Sequence, residues 1–190
     1  TVIGNAEPDF VFGIHNRFTL GAFDLGIQLN GSYGNDVVNM LRYQYENPEG
    51  SYMGLWGTVT DFARIALIDD EKPGDDINNV YIENPGQGIA RVEAGQNDNQ
   101  RFSNRFVEDG SYLRIQDLTL GYSLPQSAAS RLHLSKLRIY TTVQNLHTFT
   151  SYSGYDPAVG AYNQNVLYPG VDNGRFPAAR SYSIGLNVTF

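Results

Sequence analysis

Five stretches of this chain alternate apolar and polar residues with a period of two, the signature of strands whose two faces meet different surroundings. In the first, Phe10, Phe12, Ile14, Phe18 and Leu20 share one parity and Gly13, His15, Arg17 and Thr19 the other. After a tight turn at Gly21 and Ala22, the residues Phe23, Leu25, Ile27, Leu29 and Tyr33 alternate with Asp24, Gly26, Gln28, Asn30 and Ser32 without an error. A third run sets Leu118, Leu120, Tyr122 and Leu124 against Asp117, Thr119, Gly121 and Ser123, until Pro125, which cannot donate to a ladder, stops it. Just upstream, Leu113 and Ile115 fall on the other parity, which places a β-bulge near Gln116. The fourth run alternates less cleanly: Leu137, Ile139 and Val143 oppose Arg138, Thr142 and Gln144, with Tyr140 on the polar side. In the fifth, Tyr182, Ile184, Leu186, Val188 and Phe190 oppose Ser181, Ser183, Gly185, Asn187 and Thr189. Strands are therefore expected at about 10–20, 22–34, 112–124, 136–146 and 181–190, in an all-β fold.

The connections between these strands run to roughly 2, 77, 11 and 34 residues, short and long in turn. A compact soluble domain seldom holds so long a connection, whereas a transmembrane β-barrel alternates short periplasmic turns with long extracellular loops. The polar rows are small (Ser, Gly, Thr, Asn), which suits a barrel interior, and the apolar rows suit lipid. From Phe23 to Tyr33 the second strand extends about 33 Å at ~3.3 Å per residue, or roughly 25 Å of height when tilted ~40°. That matches a hydrocarbon band, with an aromatic residue at each rim. Within the 35–111 loop, Asn35 and Asp36 are expected to cap a short helix bearing Val37, Leu41 and Tyr45 on one face. A second helix is expected over Tyr52 to Ile68, around Trp56, Val59, Phe62 and Ala66.

Composition narrows the classes further. The 190 residues carry 20 Asp and Glu against 13 Lys and Arg, a formal net charge of −7, and only Lys72 and Lys136 are lysines, which argues against nucleic acid as a partner. The acidity is segregated: residues 35–111 hold 14 carboxylates and 6 basic residues, the remainder 6 and 7. With no cysteine there is no disulfide framework, thiolate metal site or cysteine nucleophile. No apolar run approaches the ~20 residues of a spanning helix, so any membrane crossing must use strands. Thr1 to Pro8 has neither the basic n-region nor the apolar h-region of a secretory signal, and the chain reads as mature or as a piece of something longer.

Three blocks resemble the C-terminal end of SusC/RagA-type TonB-linked outer-membrane proteins. They are Arg105 to Pro125 (RFVEDGSYLRIQDLTLGYSLP), Leu137 to Pro157 (LRIYTTVQNLHTFTSYSGYDP) and Gly170 to Phe190 (GVDNGRFPAARSYSIGLNVTF). The opening, TVIGNAEPDFVFGIHNRFTLGAFDLGIQLNGSYGNDVVN, is similar to a late-barrel hairpin of the same family. The resemblance implies the last five antiparallel strands of a 22-stranded transmembrane barrel in the outer membrane of a Gram-negative bacterium. On that pattern, loops 35–111 and 147–180 are extracellular and contain short helices, and the C-terminus is periplasmic. It also implies uptake of glycan or peptide fragments, with a SusD-like surface lipoprotein as lid and TonB pulling on an N-terminal plug. No cofactor is implied. The chain has no plug and no TonB-contacting segment, so its expected partners are the remainder of the same transporter, the lipoprotein and outer-membrane lipid.

Candidate sites are few. The row Tyr182, Ile184, Leu186, Val188 and Phe190 resembles the signal by which the barrel-assembly machinery recognises its substrates; a soluble edge strand is the bland alternative, and one so apolar is an aggregation hazard. Trp56, Tyr152, Tyr155 and Tyr162 lie in the long loops, where an aromatic face can stack on a sugar ring or a peptide side chain, although packing within the loop is the commoner use. Asp69, Asp70, Glu71, Asp75 and Asp76 offer oxygens to Ca²⁺ but lack the spacing of an EF-hand loop, so a solvated loop tip is the simpler reading. His15, His133 and His147 sit in separate segments without metal-ligand spacing, and no nucleophile motif accompanies them. Asn30-Gly-Ser and Asn187-Val-Thr fit the glycosylation pattern inside predicted strands. Two other classes remain open: a soluble carbohydrate-binding β-sandwich, and a hydrolase built on Asp75 and Asp76.

Overall fold

A computed structural model describes residues 2–46, 54–86, 89, 101–160 and 167–190. Among them the strands, in chain order, are β1 (Phe10–Leu20), β2 (Phe23–Tyr33), β3 (Asp36–Asn39), β4 (Ile65–Leu67), β5 (Val80–Ile82), β6 (Val107–Asp109), β7 (Tyr112–Ser123), β8 (Lys136–Thr150), β9 (Val171–Asp172) and β10 (Ser181–Thr189). Two short helices, α1 (Met40–Tyr45) and α2 (Gln126–Arg131), complete them. The chain divides into two compact units: Thr1–Val38 with Val107–Phe190, and Asn39–Phe106.

The first unit is built on one antiparallel sheet of order β1-β2-β7-β8-β10, open at β1 and β10. The β1–β2 hairpin is in register from Phe10↔Tyr33 to Leu20↔Phe23. Gly21 opens its two-residue turn at φ 58°, the left-handed geometry that the first position of a type II′ turn requires. The register jumps where the parity of the sequence breaks: Leu29 pairs with Ile115 but Gln28 with Asp117, leaving Gln116 as the extra residue. Opposite it, β8 bulges too, since Ile115 faces His147 and Asp117 faces Gln144, and Asn145 takes φ 51°. The fourth strand therefore continues past this bulge to Thr150, four residues beyond the expected end at Leu146. Alternation survives the bulge, and His147 and Phe149 rejoin the apolar face.

One face of this sheet carries the apolar rows and the other the polar ones, and none of the large apolar side chains on the first face is buried. Phe10, Phe18, Leu20, Phe23, Leu120, Ile139, Tyr182, Ile184, Leu186 and Phe190 are all exposed, Ile184 at 83% and Phe190 at 90%. Aromatic pairs mark both ends of that face, Phe10 on Tyr33 with ring centroids 5.3 Å apart and Phe23 on Tyr122 at 4.8 Å. Apart from Gly31 and Gly121, the buried residues of the long strands are polar: Asp24, Ser32 and Arg114. Tyr140 lies on the polar face because its ring folds over Gly185, its cross-strand partner, where any side chain would collide with it.

Both long excursions leave from the Tyr33, Tyr112, Thr150 and Ser181 ends of the strands, while the turn at Gly21 and the α2 connection close the other end. At the excursion end of this unit a small sheet of order β6-β3-β9 forms, with Asp36 Oδ2 accepting the Asn5 amide at 2.8 Å. That pairing overrides the expected helix start. Asn35 and Asp36 cap nothing, because Asn35 Oδ1 accepts the Ser32 hydroxyl at 2.7 Å and Asp36 is bound to Asn5. Val37 is a buried strand residue rather than part of a helical face.

The second unit begins with α1, capped by the fully buried Asn39, whose side chain accepts the Leu41 and Arg42 amides. Phe106, 2% exposed, packs edge-on against Tyr43 at 5.3 Å, and Tyr43 also meets Phe102. Buried Glu46 lies between Arg42 (2.9 Å) and Arg105 (3.0 Å). The helix expected over 52–68 does not form among the described residues: Gly57–Thr60 is a 3₁₀ turn, and Ile65–Leu67 is β4, paired with β5. Gly57, Thr58, Val59 and Thr60 are poor helix formers, and hairpin pairing claims the residues that follow. Tyr52 and Met53 lie outside the described residues.

Candidate functional site

The polar face of the sheet is an organised network. Asp24 on β2 receives Arg138 of β8 through two hydrogen bonds, Nε to Oδ1 at 2.8 Å and Nη2 to Oδ2 at 2.6 Å, and Arg17 of β1 at 3.3 Å. The bidentate fork is the strongest geometry available to this pair. It reaches across β7 only because Gly121 lies between: a Cβ there would strike both the Asp24 carboxylate and the Arg138 guanidinium. Arg138 also stacks over the Tyr140 ring, 4.9 Å from its centroid. Beside this trio Thr119 shares a 2.8 Å hydrogen bond with Thr142 and donates to Asp117 at 2.9 Å. His15, Gly26, Asp117 and Thr119 line, with the trio, a concavity of about 200 Å³. Such a surface offers hydrogen bonds and balanced charge to a polar body, without an activated nucleophile.

Two members of this trio are legible in the sequence. Arg17 and Asp24 face each other diagonally across a two-residue hairpin, a relation that the register alone dictates. Arg138 was not legible, because its approach depends on which strand separates it from β2 and on the glycine in that strand.

At the excursion end, Tyr152 is 6% exposed and its hydroxyl donates to Asp172 at 2.7 Å. Burial, then the Asp172 carboxylate, pushes its phenol pKa well up. Tyr152 thus anchors the loop, with little of its ring exposed. Tyr155 is exposed, and Tyr162 lies outside the described residues. Glu108 accepts both the amide and the hydroxyl of Ser153 at 2.8 Å. The Asp109 carboxyl is held below its usual range, first by the Ser111 hydroxyl and then by the Ser111 amide, with burial opposing.

In the second unit, Trp56 is half-buried and stacks on Tyr45, ring centroids 6.0 Å apart. The acidic segment is engaged locally. Asp69 pairs with Lys72 at 3.1 Å, Asp76 accepts the Asn78 amide at 2.9 Å, and buried Asn79 ties the turn to the Asp69 carbonyl. Asp70, Glu71 and Asp75 are exposed. Among the described residues no group of three His, Cys, Asp or Glu is placed to hold a metal ion. The histidines stay apart: His15 is on the polar face, His147 on the apolar face against Phe149, and His133 follows α2 in a left-handed conformation.

This strand array, with its apolar rows on one face, an organised polar face and both long excursions leaving from one end, has counterparts among known proteins. No family model matches the sequence. TonB-dependent receptor P3 of Formosa agariphila is 28% identical over the whole of this chain, which covers 17% of that protein. TonB-dependent receptor SusC of Bacteroides thetaiotaomicron is 31% identical over 60% of the chain, 10% of its own length. The solved RagAB peptide importer in its closed-closed state superposes with a TM-score of 0.69 at 21% identity, covering all of this chain and 18% of the other. Its open-open state gives 0.67 at 23% identity over 97% of the chain and 17% of the other. The chain is homologous to a segment of the TonB-dependent receptors, and within them its likeness is to the SusC/RagA type. It spans less than a fifth of the length of these relatives.

Proposed function

We propose that these five strands are the last five of a 22-stranded barrel belonging to a TonB-dependent nutrient importer of the outer membrane. The observation that carries this reading is inverted burial. Among the described residues, none of the buried apolar ones, Val37, Leu41, Ile89, Phe106, Ala129 and Tyr152, belongs to the five long strands, whose apolar rows are exposed or half-buried instead. A contiguous exposed apolar surface of this extent marks contact with a membrane or a partner, and lipid is the partner that suits two aromatic-ended rims. A β-sandwich would need a second sheet over that row.

On this reading the two long excursions are extracellular, and the Gly21 turn and the α2 connection periplasmic. The polar network around Asp24 faces the interior and the rest of the same transporter. A SusD-like lipoprotein sits over the excursions, and TonB acts through a part of the protein that this chain does not contain. The cargo is a glycan or peptide fragment, with Trp56, Tyr155 and Tyr162 as the aromatic surfaces offered to it. The row Tyr182, Ile184, Leu186, Val188 and Phe190 serves as the barrel-assembly signal. The test is to extract outer membranes in mild detergent, isolate the complex containing this sequence, and identify its members by mass spectrometry. A plug-bearing polypeptide that includes this sequence, together with a SusD-like lipoprotein, is the expected result. Recovery of this sequence in the aqueous fraction as a 21.1 kDa species overturns it.

A further inference from the structure

The excursion between β8 and β10 carries a second concavity, of about 280 Å³, lined by Arg114, Asp156, Ala158, Arg175, Phe176 and Ala178. Its floor is the Arg114–Asp156 ion pair. Arg114 donates from Nη2 to Asp156 Oδ1 and from Nε to Thr148 Oγ1 at 2.9 Å. Asp156 also accepts the amides of Ala158 at 2.9 Å and Ala178 at 3.3 Å. The remaining charge at the concavity is Arg175, which is exposed and has no ion-pair partner among the described residues. Its position is fixed by the backbone. Asp172 Oδ1 accepts the amides of Gly174 at 2.9 Å and Arg175 at 3.1 Å, while the Ala178 amide pins the far end of the strap to Asp156. Asp172 is itself buried and held by Tyr152, so its charge is spread over three donors. Next to Arg175 on the strap, Phe176 is 93% exposed.

A free guanidinium and an uncovered aromatic ring thus stand together on a pinned strap, above a floor that carries no net charge. We propose that this concavity is a subsite for a carboxylate on an organic ligand, with Arg175 receiving the carboxylate and Phe176 covering the apolar body beside it. The planar fork of arginine matches a carboxylate through two parallel hydrogen bonds. The volume falls just short of the ~300 Å³ at which whole-ligand pockets begin, so the site takes one terminal residue of a longer molecule. A peptide C-terminus and an acidic sugar both supply that chemistry. The subsite rests on the importer reading for the source of its ligand.

Binding is measured by calorimetry on the full-length receptor purified in detergent, with four probes. These are acetyl-glycyl-phenylalanine, its C-terminal amide, a galacturonic acid disaccharide, and the corresponding neutral galactose disaccharide. One of the acids is expected to bind about tenfold or more tightly than its neutral counterpart, the size of one charge-assisted contact; which acid does so identifies the source. R175Q is expected to abolish that preference while leaving the neutral probe's affinity unchanged, and F176A to weaken both members of the pair alike. Absence of any preference in the wild-type receptor, a preference that survives R175Q, or an F176A receptor that binds like wild type overturns the proposal. Nutrient uptake by cells carrying R175Q is followed separately, so that a failed subsite with uptake intact leaves the importer reading standing.

Discussion

The five-stranded sheet and the Asn39–Phe106 unit obey opposite rules of burial within one chain. The second unit buries Phe106, Leu41 and Ile89 and leaves most of its carboxylates outside, with Ile68 and Ile77 exposed beside them. Its one buried carboxylate among the ion pairs, Glu46, is matched by two arginines. The sheet turns its leucines, isoleucines and phenylalanines outward and keeps Asp24 and Arg138 together on the other face. The sign of burial therefore reports the solvent each region was built for, and substitutions of the same chemical kind should have opposite consequences in the two.

The largest expected effect is in the water-facing unit. Phe106→Ala removes a ring that is 2% exposed and should cost about 3–5 kcal/mol of local stability, read as faster hydrogen exchange across Asn39–Phe106 with the long strands unchanged. Next is Leu186→Arg on the apolar face of β10, which should cost about 2–4 kcal/mol if the residue lies near the bilayer midplane. Asn187→Arg, one residue on and facing the other way, should be milder. Denaturant unfolding in lipid vesicles compares the two, and equal tolerance of both would defeat the assignment of faces.

Tyr152→Phe at the excursion end should cost about 1–3 kcal/mol, because a buried hydrogen bond to Asp172 is lost. Its raised pKa adds a pH signature. Below pH ~10 the phenol is neutral in both folded and unfolded chains, and its full contribution is present. Above that value the unfolded chain ionises first, so stability falls as pH rises toward the folded pKa. Alkaline melting curves of the wild type should show a steeper loss than those of Tyr152→Phe. The smallest effect is expected for Asn39→Ala, which uncaps α1 at a cost of about 0.5–2 kcal/mol, measured by the same hydrogen exchange.

Where two faces meet different solvents, the pattern of residues alone carried the structure. The alternation in β1, β2, β7 and β10 places each strand to within about a residue, and the parity break before Leu118 locates the bulge at Gln116. β8 was legible only in part. Tyr140 is held on the polar face by Gly185, a partner distant in sequence, and the Asn145 bulge conceals the last four residues of the strand. In the acidic excursion, short-range signals failed for a different reason. Asn35 and Asp36 have the chemistry of helix caps, yet contacts with Ser32 and Asn5 claim them first, and Asn39 takes the role. The Asp24–Arg138 bridge was hidden because it depends on strand order, and the Arg175–Phe176 strap because its geometry comes from Asp172 and Asp156, neither of which reads as functional in isolation.

The bulge also bears on how such a wall can change over generations. Gln116 is a spare residue: removing one codon there would join Ile115 directly to Asp117 and leave every leucine of β7 on its present side. The β1–β2 hairpin has no such slack, since its pairing runs unbroken from Phe10↔Tyr33 to Leu20↔Phe23, and a single-residue insertion or deletion there would send half a strand's side chains to the wrong solvent. Length variation among descendants of this sequence should therefore collect at β7, while the hairpin beside it keeps its count.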